Sequence, residues 1–565
     1  MASAYDVAII GAGHNGLVAA NYLARAGRSV VVLEARDVVG GACVTEELIP
    51  GSRWSSCAFI AGLMRPEIIS ELELSRFGLE MYQSDVLSYS LFRDGSHLFF
   101  WKEVDRTLRE IERHSRRDAQ RFVEFGVRLK RFAQIATPWL LQPAPARSDV
   151  LRAFEEAGEE ELFNEFVLLS ARDLLDRYFE SEHVKGMLTF FGMVSIWGGP
   201  STPGTAYVYG HHAWGEFNGH FGQFGFVRGG MGGITQALAN GATFHGVDVR
   251  TEAPVARVLV EGGRAAGVVL ESGDEIRATT VVSNADPKRS LLRLVEASEL
   301  DPDFRSSVEG IDQRGSMARI HLLVDELPHY IGREPGEGPQ HRGHQLLGAS
   351  VENFEAAWEA QRRGAFPDSW VIEAVIQSTT DPTLAPEGKH TLTLGVQQLP
   401  YELAGTTWND VRESWADSVV DDLCEYAPNL REHILDRATI TPQDLETDYL
   451  ITGGNIFHGQ MYLDQLFSAR PTPALSSYET PIKGYYLCGA GTHPGGGVMG
   501  ASGHNAAKAI LGEAAPARTR PRGRSSKGLI DRVMDTAPGR RAGYEVARRR
   551  IFRPLARLAT RRSKR

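Results

Sequence analysis

The chain has 565 residues, is 42% hydrophobic and 23% charged, and carries a net charge of −10. That length exceeds one simple core and predicts two intimately packed domains, while the composition is ordinary for a soluble globular protein. Four scattered cysteines (Cys43, Cys57, Cys424, Cys488) without CxxC spacing point to a reducing compartment and away from a dithiol redox pair or a structural zinc site.

The first strand begins almost at once, so no secretory signal or transit peptide is expected, and no apolar run approaches membrane-span length. An apolar run from Val7 to Ile10 ends in Gly11-Ala12-Gly13-His14-Asn15-Gly16. A helical pattern follows to Gly27, then a second apolar run from Val30 to Leu33, then Glu34. Strand, glycine turn, helix, strand and acid together form a dinucleotide-binding fingerprint. Gly11 permits the tight turn, Gly13 lets backbone approach a pyrophosphate, and Gly16 lets the helix pack on the strand. The helix N-terminus offers free N–H groups to phosphate. Glu34 lies 18 residues past Gly16, at about the ~20 expected for a ribose-binding carboxylate.

Val39-Gly40-Gly41-Ala42 supplies a second glycine pair. Asp105 to Trp139 and Asp149 to about Met193 show helical periodicity and read as an inserted helical layer. Gly198 to Gly233 is rich in glycine, aromatics and histidine and reads as a loop, with a helix starting near Ile234. Val247 to Asn284 alternates strongly and turns at Gly262-Gly263, the mark of a β-hairpin. Val281 to Asn284 looks like a buried parallel strand. Four further strands are expected at Ile320–Val324, Leu346–Val351, Trp370–Ile376 and Thr391–Val396, forming a largely antiparallel sheet. A helix is expected from Trp408 to Tyr426. A second glycine-rich strand–turn–helix runs from Gly484 through Gly500, with its helix from Ala501 to Leu511.

The last 52 residues are different. Ala514 to Arg565 carries 17 Lys/Arg against 3 Asp/Glu, a net of +14 on a body of −24. PARTRPRGRSSKG reads as a linker. YEVARRRIFRPLARLATRRSKR places Val546, Ile551, Leu555 and Leu558 near one helical face among arginines. That pattern suits a helix lying on an anionic membrane surface; the alternative is a solvated tail or one docked on the acidic body. Pro554 weakens a continuous helix. No nucleic-acid motif accompanies the charge. The localisation expected is cytoplasmic, peripheral on the inner face of the membrane where the tail docks.

Three features favour FAD over a nicotinamide nucleotide. They are the Gly40-Gly41 pair, the interruption of the nucleotide domain by a hairpin and a large insert, and the second glycine-rich turn near residue 490. RGGMGG at Arg228–Gly233 lacks the strand–helix context of a second dinucleotide site.

These motifs resemble a known family. GAGHNGL, SNADP (Ser283–Pro287) and YLCGAGTHPGGGVMGASGHNAA are similar to the carotenoid desaturase, isomerase and ketolase flavoproteins, the phytoene desaturase-like group. GTAYVYGHHAWGEFNGHFGQFGFVRGGMGG and GGNIFHGQMYLDQLFSARP look most like the branch called pyridine nucleotide-disulfide oxidoreductase domain-containing protein. The resemblance spans about residues 5–513, and the paired cysteines of that branch name are absent. It implies an α/β fold: a Rossmann-type FAD domain of the glutathione-reductase-like superfamily, interleaved with an α+β substrate domain. The FAD domain would take residues 1–85, 224–290 and 476–513, the substrate domain 86–223 and 291–475, and the tail 514–565.

By that resemblance Gly11, Gly13, His14, Asn15 and Gly16 hold the FAD pyrophosphate, and Glu34 takes the adenosine ribose with Arg36 beside it. Gly40, Gly41 and Ala42 approach the phosphate–ribitol region, and Val255 offers backbone to adenine. Gly489, Gly491 and Thr492 meet the ribitol. Gly500 and Ala501 open a helix aimed at the flavin pyrimidine edge, where reduction places negative charge. Gly491 stands where many flavoproteins carry an aspartate, so no carboxylate is expected there.

Flavin supplies the redox step, so the protein owes it a shaped apolar pocket. Candidate pocket residues are Tyr207, Tyr209, Trp214, Phe217, Phe221, Phe224 and Phe226, each equally readable as core. His211 and His212 are weak acid/base candidates and His493 a candidate for contact with flavin or substrate; each reads more readily as a hydrogen-bonded structural histidine, His458 is weaker still, and no catalytic base is assigned. No metal spacing or catalytic triad is present. The reading is an FAD-dependent oxidoreductase that takes hydride at flavin N5 from a hydrophobic, isoprenoid- or polyene-like small molecule. The alternatives are a redox-neutral isomerase and a flavin-stabilised binding protein.

Overall fold

The computed structural model describes residues 5–217 and 220–513, with the backbone alone at 220 and 221. The tail from Ala514 to Arg565, and the membrane-helix expectation placed on it, lies outside these residues. Among the described residues no helix is long and apolar enough to cross a membrane.

Two seven-stranded sheets organise the molecule. In the first, Tyr5–Ile10 runs parallel to Val30–Leu33 on one side and to Glu275–Ser283 on the other. Asp248–Arg250 extends the sheet beyond Val30–Leu33, and Tyr485–Leu487 runs parallel to Val281–Ser283. Val7–Ile10 and Val30–Leu33 are buried throughout, as a parallel sheet between two covered faces requires. Val255–Glu261 and Arg264–Leu270 form the expected hairpin, whose turn glycines Gly262 and Gly263 have φ of +59° and +74°. The helices His14–Arg25, Gly232–Phe244 and Ala501–Ile510 share one apolar core with this sheet. The Asn21 amide locks the first two together by donating to Leu17 O and Leu238 O.

The second sheet runs Ile434–Ile440, Met317–Val324, His390–Gln397, Ile372–Val375, His344–Leu347, Val86–Leu91, His97–Trp101. Its pairs are antiparallel except His344–Leu347 with Val86–Leu91. One face carries Ala318, Ile320, Leu322, Ile372, Ala374, Leu392 and Leu394 against Trp408, Trp415, Val419 and Leu423 of the helix Trp408–Tyr426. Strand alternation turns Arg319, His321, Glu373, Thr393 and Gly395 to the opposite face. The helices Arg116–Ala136, Ala171–Tyr178, Glu182–Met193 and Ala206–His212 form one apolar layer with Leu98, Phe100 and Leu346 of this sheet.

Three expectations change in detail. The run Leu346–Val351 is a strand only to Leu347. Gly348 takes φ +70°, and the Ser350 hydroxyl then caps a helix at Val351–Gln361 by accepting from Asn353 N at 3.0 Å. The glycine–aromatic stretch is not wholly a loop, because Ala206–His212 is helical. The second sheet also recruits Val86–Leu91, His97–Trp101 and Ile434–Ile440, which sequence periodicity did not single out.

Three buried histidines make the fold acid-sensitive. Burial pushes His211 and His321 down to about 3 and His493 down to about 4. They stay neutral in the folded chain, while an unfolded histidine protonates near 6.5. Between those values the unfolded state binds more protons, so stability rises with pH and falls as pH drops below about 6.5. Each histidine contributes a loss of up to about 2 kcal/mol at about pH 5 relative to pH 7. The urea midpoint is expected to fall over that interval, and His321→Gln to flatten the fall; an unchanged midpoint would contradict the assignment.

Candidate functional site

The C-terminal edge of the parallel sheet holds the glycine turn. Gly11 has φ +90°, which only glycine adopts freely. A side chain on Gly13 would sit 2.5 Å from Asn284 Nδ2, and one on Gly16 would overlap Gly11 O. Gly13 bridges to Gly40, and Gly40 N donates to Ala12 O at 3.0 Å. Gly41 packs with its Cβ direction 3.6 Å from Gly13 Cα. The two glycine motifs are thus one cradle, thin enough for a ligand to lie against backbone. His14 and Asn15 open the helix, whose first N–H groups have no intrahelical acceptor.

Glu34 ends the second strand and is buried. Its Oε2 accepts from Ala12 N at 2.7 Å and its Oε1 from Arg36 N at 3.0 Å. Burial pushes its carboxyl above the usual range, against the backbone donors that pull it down. Arg36 pairs with Glu46 and stacks 4.7 Å over the Tyr449 ring. Ala253 N donates to Glu34 O, and Val255 begins its strand two residues later, at the same end of the cradle.

The second glycine motif closes the cradle from the other side. Cys488 N donates to Ser283 O, and a side chain on Gly489 would sit 2.6 Å from Asn284 O. One on Gly491 would strike Pro287. Thr492 is buried and donates to Gly489 O at 2.9 Å. Gly500 takes φ +74° and leads into Ala501–Ile510. Gly503 N donates to Asn15 Oδ1 at 3.4 Å, which sets the N-termini of the first and last helices side by side. These contacts bring the segments of Gly11–Gly16, Glu34, Arg36, Gly40–Ala42, Val255, Gly489–Thr492, Gly500 and Ala501 to one edge of the parallel sheet.

A strap, residues 58 to 65, runs beside the cradle. Ala58 N donates to Ala42 O, Ala61 pairs with Gly225, and Arg65 N donates to Met499 O at 3.1 Å. Leu63 lies where a side chain on Gly497 would go. The strap thus links the phosphate–ribitol glycines to the N-terminus of the last helix.

The candidate histidines stand beside the strap as hydrogen-bonded groups. His211 Nε2 meets Gly496 O at 3.0 Å, His212 Nδ1 meets Val208 O at 2.8 Å, and His493 Nε2 meets Trp139 O at 2.9 Å. Burial lowers all three, so all are neutral at neutral pH. Tyr207, Tyr209, Trp214, Phe217 and Phe226 are buried, Phe224 is half-buried, and the Phe221 side chain lies outside the described residues.

Sequence reasoning passed over several groups. Asn284, in the SNADP motif, lies over the glycine turn. Arg470, in the run ending SARP, is buried with no carboxylate beside it. Its guanidinium donates to Gln460 O, Gln465 O, Phe457 O and Ala490 O, and burial lowers it to about 10. Arg319, Glu373 and His344 come from three strands. A signal existed for Glu373, a lone acid inside the apolar run WVIEAVIQ.

The residues present fit FAD. Both glycine motifs leave backbone-thin walls, and a carboxylate stands at the ribose position. Arg36 Nη1, His211 Nδ1, His458 Nδ1 and Arg470 Nε are buried polar atoms with no partner among the described residues, as a polar ligand site requires.

Comparison with known proteins agrees with this geometry. The chain is 38% identical to rat pyridine nucleotide-disulfide oxidoreductase domain-containing protein 2, over 90% of this chain and 93% of that one. It is 26% identical to a limonene dehydrogenase subunit of Castellaniella defragrans, covering 89% and 94%. It is also 26% identical to a neurosporene-forming phytoene desaturase of Cereibacter sphaeroides, covering 90% and 94%. Among solved structures, cyclohexylamine oxidase of Brevibacterium oxydans shares the fold with a TM-score of 0.54 at 18% identity, covering 90% and 98%. The model of the flavin containing amine oxidoreductases matches residues 16–511, and the chain belongs to that family as an FAD-dependent oxidoreductase.

Proposed function

We propose that this FAD-dependent oxidoreductase dehydrogenates a hydrophobic, isoprenoid- or polyene-like small molecule. The observation that carries the reading is one continuous apolar cluster. It joins Phe190, Tyr207, Tyr209 and Trp214 of the helical layer to Leu63 of the strap and to Phe457 and Met499 beside the second glycine motif. An apolar substrate is held there by burial and shape, with few polar contacts to satisfy. Similarity along nearly the whole chain to a limonene dehydrogenase polypeptide and a phytoene desaturase supports the same class.

FAD held by the Gly11–Gly16 turn, Glu34 and the second glycine motif would supply hydride acceptance. The chain's own residues do the rest. The paired helix N-termini at Asn15 and Ala501 stabilise negative charge on phosphate and on the reduced ring. The strap and the aromatic layer exclude water from the reacting carbon. The neutral His211 and His493 bond the backbone carbonyls of Gly496 and Trp139.

Two outcomes test cofactor and substrate. Glu34→Ala removes a buried acceptor and is expected to weaken FAD by roughly tenfold to a hundredfold, read as flavin fluorescence released on dilution. Anaerobic mixing with a panel of polyenes is expected to bleach the wild-type flavin, with product mass lower by two hydrogens. Product of unchanged mass would establish an isomerase instead, and a flavin left oxidised by the whole panel would refute the substrate class.

The basic tail gives the same enzyme a route to substrates dissolved in membranes. We place it on anionic lipid through the +14 charge of Ala514–Arg565. Removing those residues is expected to leave FAD bound and abolish co-sedimentation with phosphatidylserine vesicles; equal sedimentation of both forms would remove the membrane role.

A further inference from the structure

The inner face of the second sheet carries a charged cluster that cofactor binding does not use. Glu373 Oε2 accepts from Arg319 Nη1 at 2.9 Å, and Glu373 Oε1 lies 2.8 Å from His344 Nε2. All three side chains are buried. Burial alone would raise the Glu373 carboxyl, but Arg319 and His344 outweigh it and hold it below its ordinary range. An ionised carboxylate only accepts, so His344 Nε2 carries the proton and donates it to Glu373. The other ring nitrogen, Nδ1, is buried and has no partner among the described residues. Its ring packs 4.8 Å from Phe190 and 6.2 Å from Phe191, in the aromatic layer proposed to hold the substrate.

The cluster is one strap away from the cofactor cradle. Arg319 Nε donates to Cys57 O at 3.0 Å, its guanidinium stacks 4.1 Å over Phe59, and Ala58 N donates to Ala42 O. From the helical side, His212 is the titratable group that feels Glu373, and its burial keeps it neutral. The surroundings of His344 are therefore one anion, one cation, a neutral histidine and aromatic rings. A carboxylate that fixes an imidazole whose other nitrogen is unpartnered among aromatic rings is the arrangement of an oriented base.

We infer that His344, oriented by Glu373 and backed by Arg319, is a proton acceptor in the substrate chamber, and that the substrate is an apolar molecule bearing a hydroxyl, an alcohol or an aldehyde hydrate. This rests on the dehydrogenase reading above. In the step, the carbinol C–H bond breaks and its hydride, with the electron pair, goes to the bound flavin. The O–H bond breaks and its proton goes to His344 Nδ1. The carbon–oxygen double bond forms, the substrate is oxidised by two electrons, and the new imidazolium is balanced by Glu373. A pure hydrocarbon would leave Nδ1 buried without a partner.

The test uses the full-length holoenzyme with geranylgeraniol, its methyl ether and the hydrocarbon phytoene. Geranylgeraniol is expected to bleach the flavin anaerobically. His344→Phe is expected to slow that bleaching by about a hundredfold or more at unchanged FAD content. Glu373→Gln, the second variant, is expected to slow it and to move the acidic limb of the pH–rate profile to lower pH, a shift that a merely structural role would not produce. In wild type, the alcohol is expected to perturb the flavin spectrum with at least tenfold higher affinity than the methyl ether, a preference lost in His344→Phe. Bleaching of His344→Phe at the wild-type rate, or equal affinity of alcohol and ether for wild type, overturns the inference. Bleaching by phytoene alone, insensitive to His344, preserves the dehydrogenase and removes the base. An alcohol preference that depends on His344 without bleaching by any probe keeps the polar wall and removes the dehydrogenase.

Discussion

Close approach of backbone to backbone at the C-terminal edge of the parallel sheet is the constraint on which the rest of the molecule depends. Gly13 touches Gly40, Gly41 stacks on Gly13, Asn284 crosses above the turn, and Gly503 lies on the Asn15 carbonyl. These segments come from four distant parts of the chain. At Gly13, Gly16 and Gly503 a side chain would displace backbone or the Asn284 amide. The cofactor cradle is therefore a product of tertiary closure, and the inserted layers must allow residues 13, 40, 284 and 503 to meet. The short return strands Val281–Ser283 and Tyr485–Leu487 do this. Each re-enters the sheet in parallel and delivers its following loop to the same edge.

Charge inside the protein is handled in two ways. Arg319 is paired with Glu373, so its burial is offset by a direct ion pair. Arg470 has no anion, and four carbonyl oxygens from residues 457 to 490 divide its protons between them. Carbonyl dipoles compensate a guanidinium only in part, and burial drags its pKa down accordingly. The result is a cation bonded to the Ala490 carbonyl of the second glycine motif, with no carboxylate beside it among the described residues. A reduced, anionic ring is favoured by such a neighbour in the same way that it is favoured by the N-terminus of Ala501–Ile510.

How much of this was legible depended on whether a feature is local. The first βαβ unit, the hairpin at Gly262-Gly263, the helix Trp408–Tyr426 and the final glycine motif are all written in contiguous periodicity, and each stands where its residues place it. The strand ends were less legible because capping decides them; Ser350 converts an apolar run into a helix start. The aromatic stretch misled because its glycines and aromatics look like a loop, yet Ala206–His212 buries Tyr207, Val208 and Tyr209 on neighbouring layers. The Arg319–Glu373–His344 cluster was not legible as a unit at all. Its members are 25 and 29 residues apart along the chain, each inside an apolar strand, and only the order of the second sheet brings them together.

The two sheets divide the chemistry because of their construction. A parallel sheet collects loops at one edge, which suits a long, phosphate-bearing cofactor that needs many backbone contacts. An antiparallel sheet offers a broad face whose alternate residues are free to differ from its core. Here the even-numbered positions of Met317–Val324 and His390–Gln397 pack on Trp408–Tyr426, leaving the odd-numbered positions to specialise. Gly395 shows how far that has gone. A side chain there would collide with the Arg319 guanidinium and crowd Glu373 Oε2. The missing Cβ is what lets an ion pair lie flat across the middle of the sheet. A strand otherwise built from Leu, Thr and Val gives up β-propensity at one position to make room for charge. Packing alone has no use for that sacrifice, since an apolar side chain at 395 and an apolar pair at 319 and 373 would fill the same space with less desolvation cost.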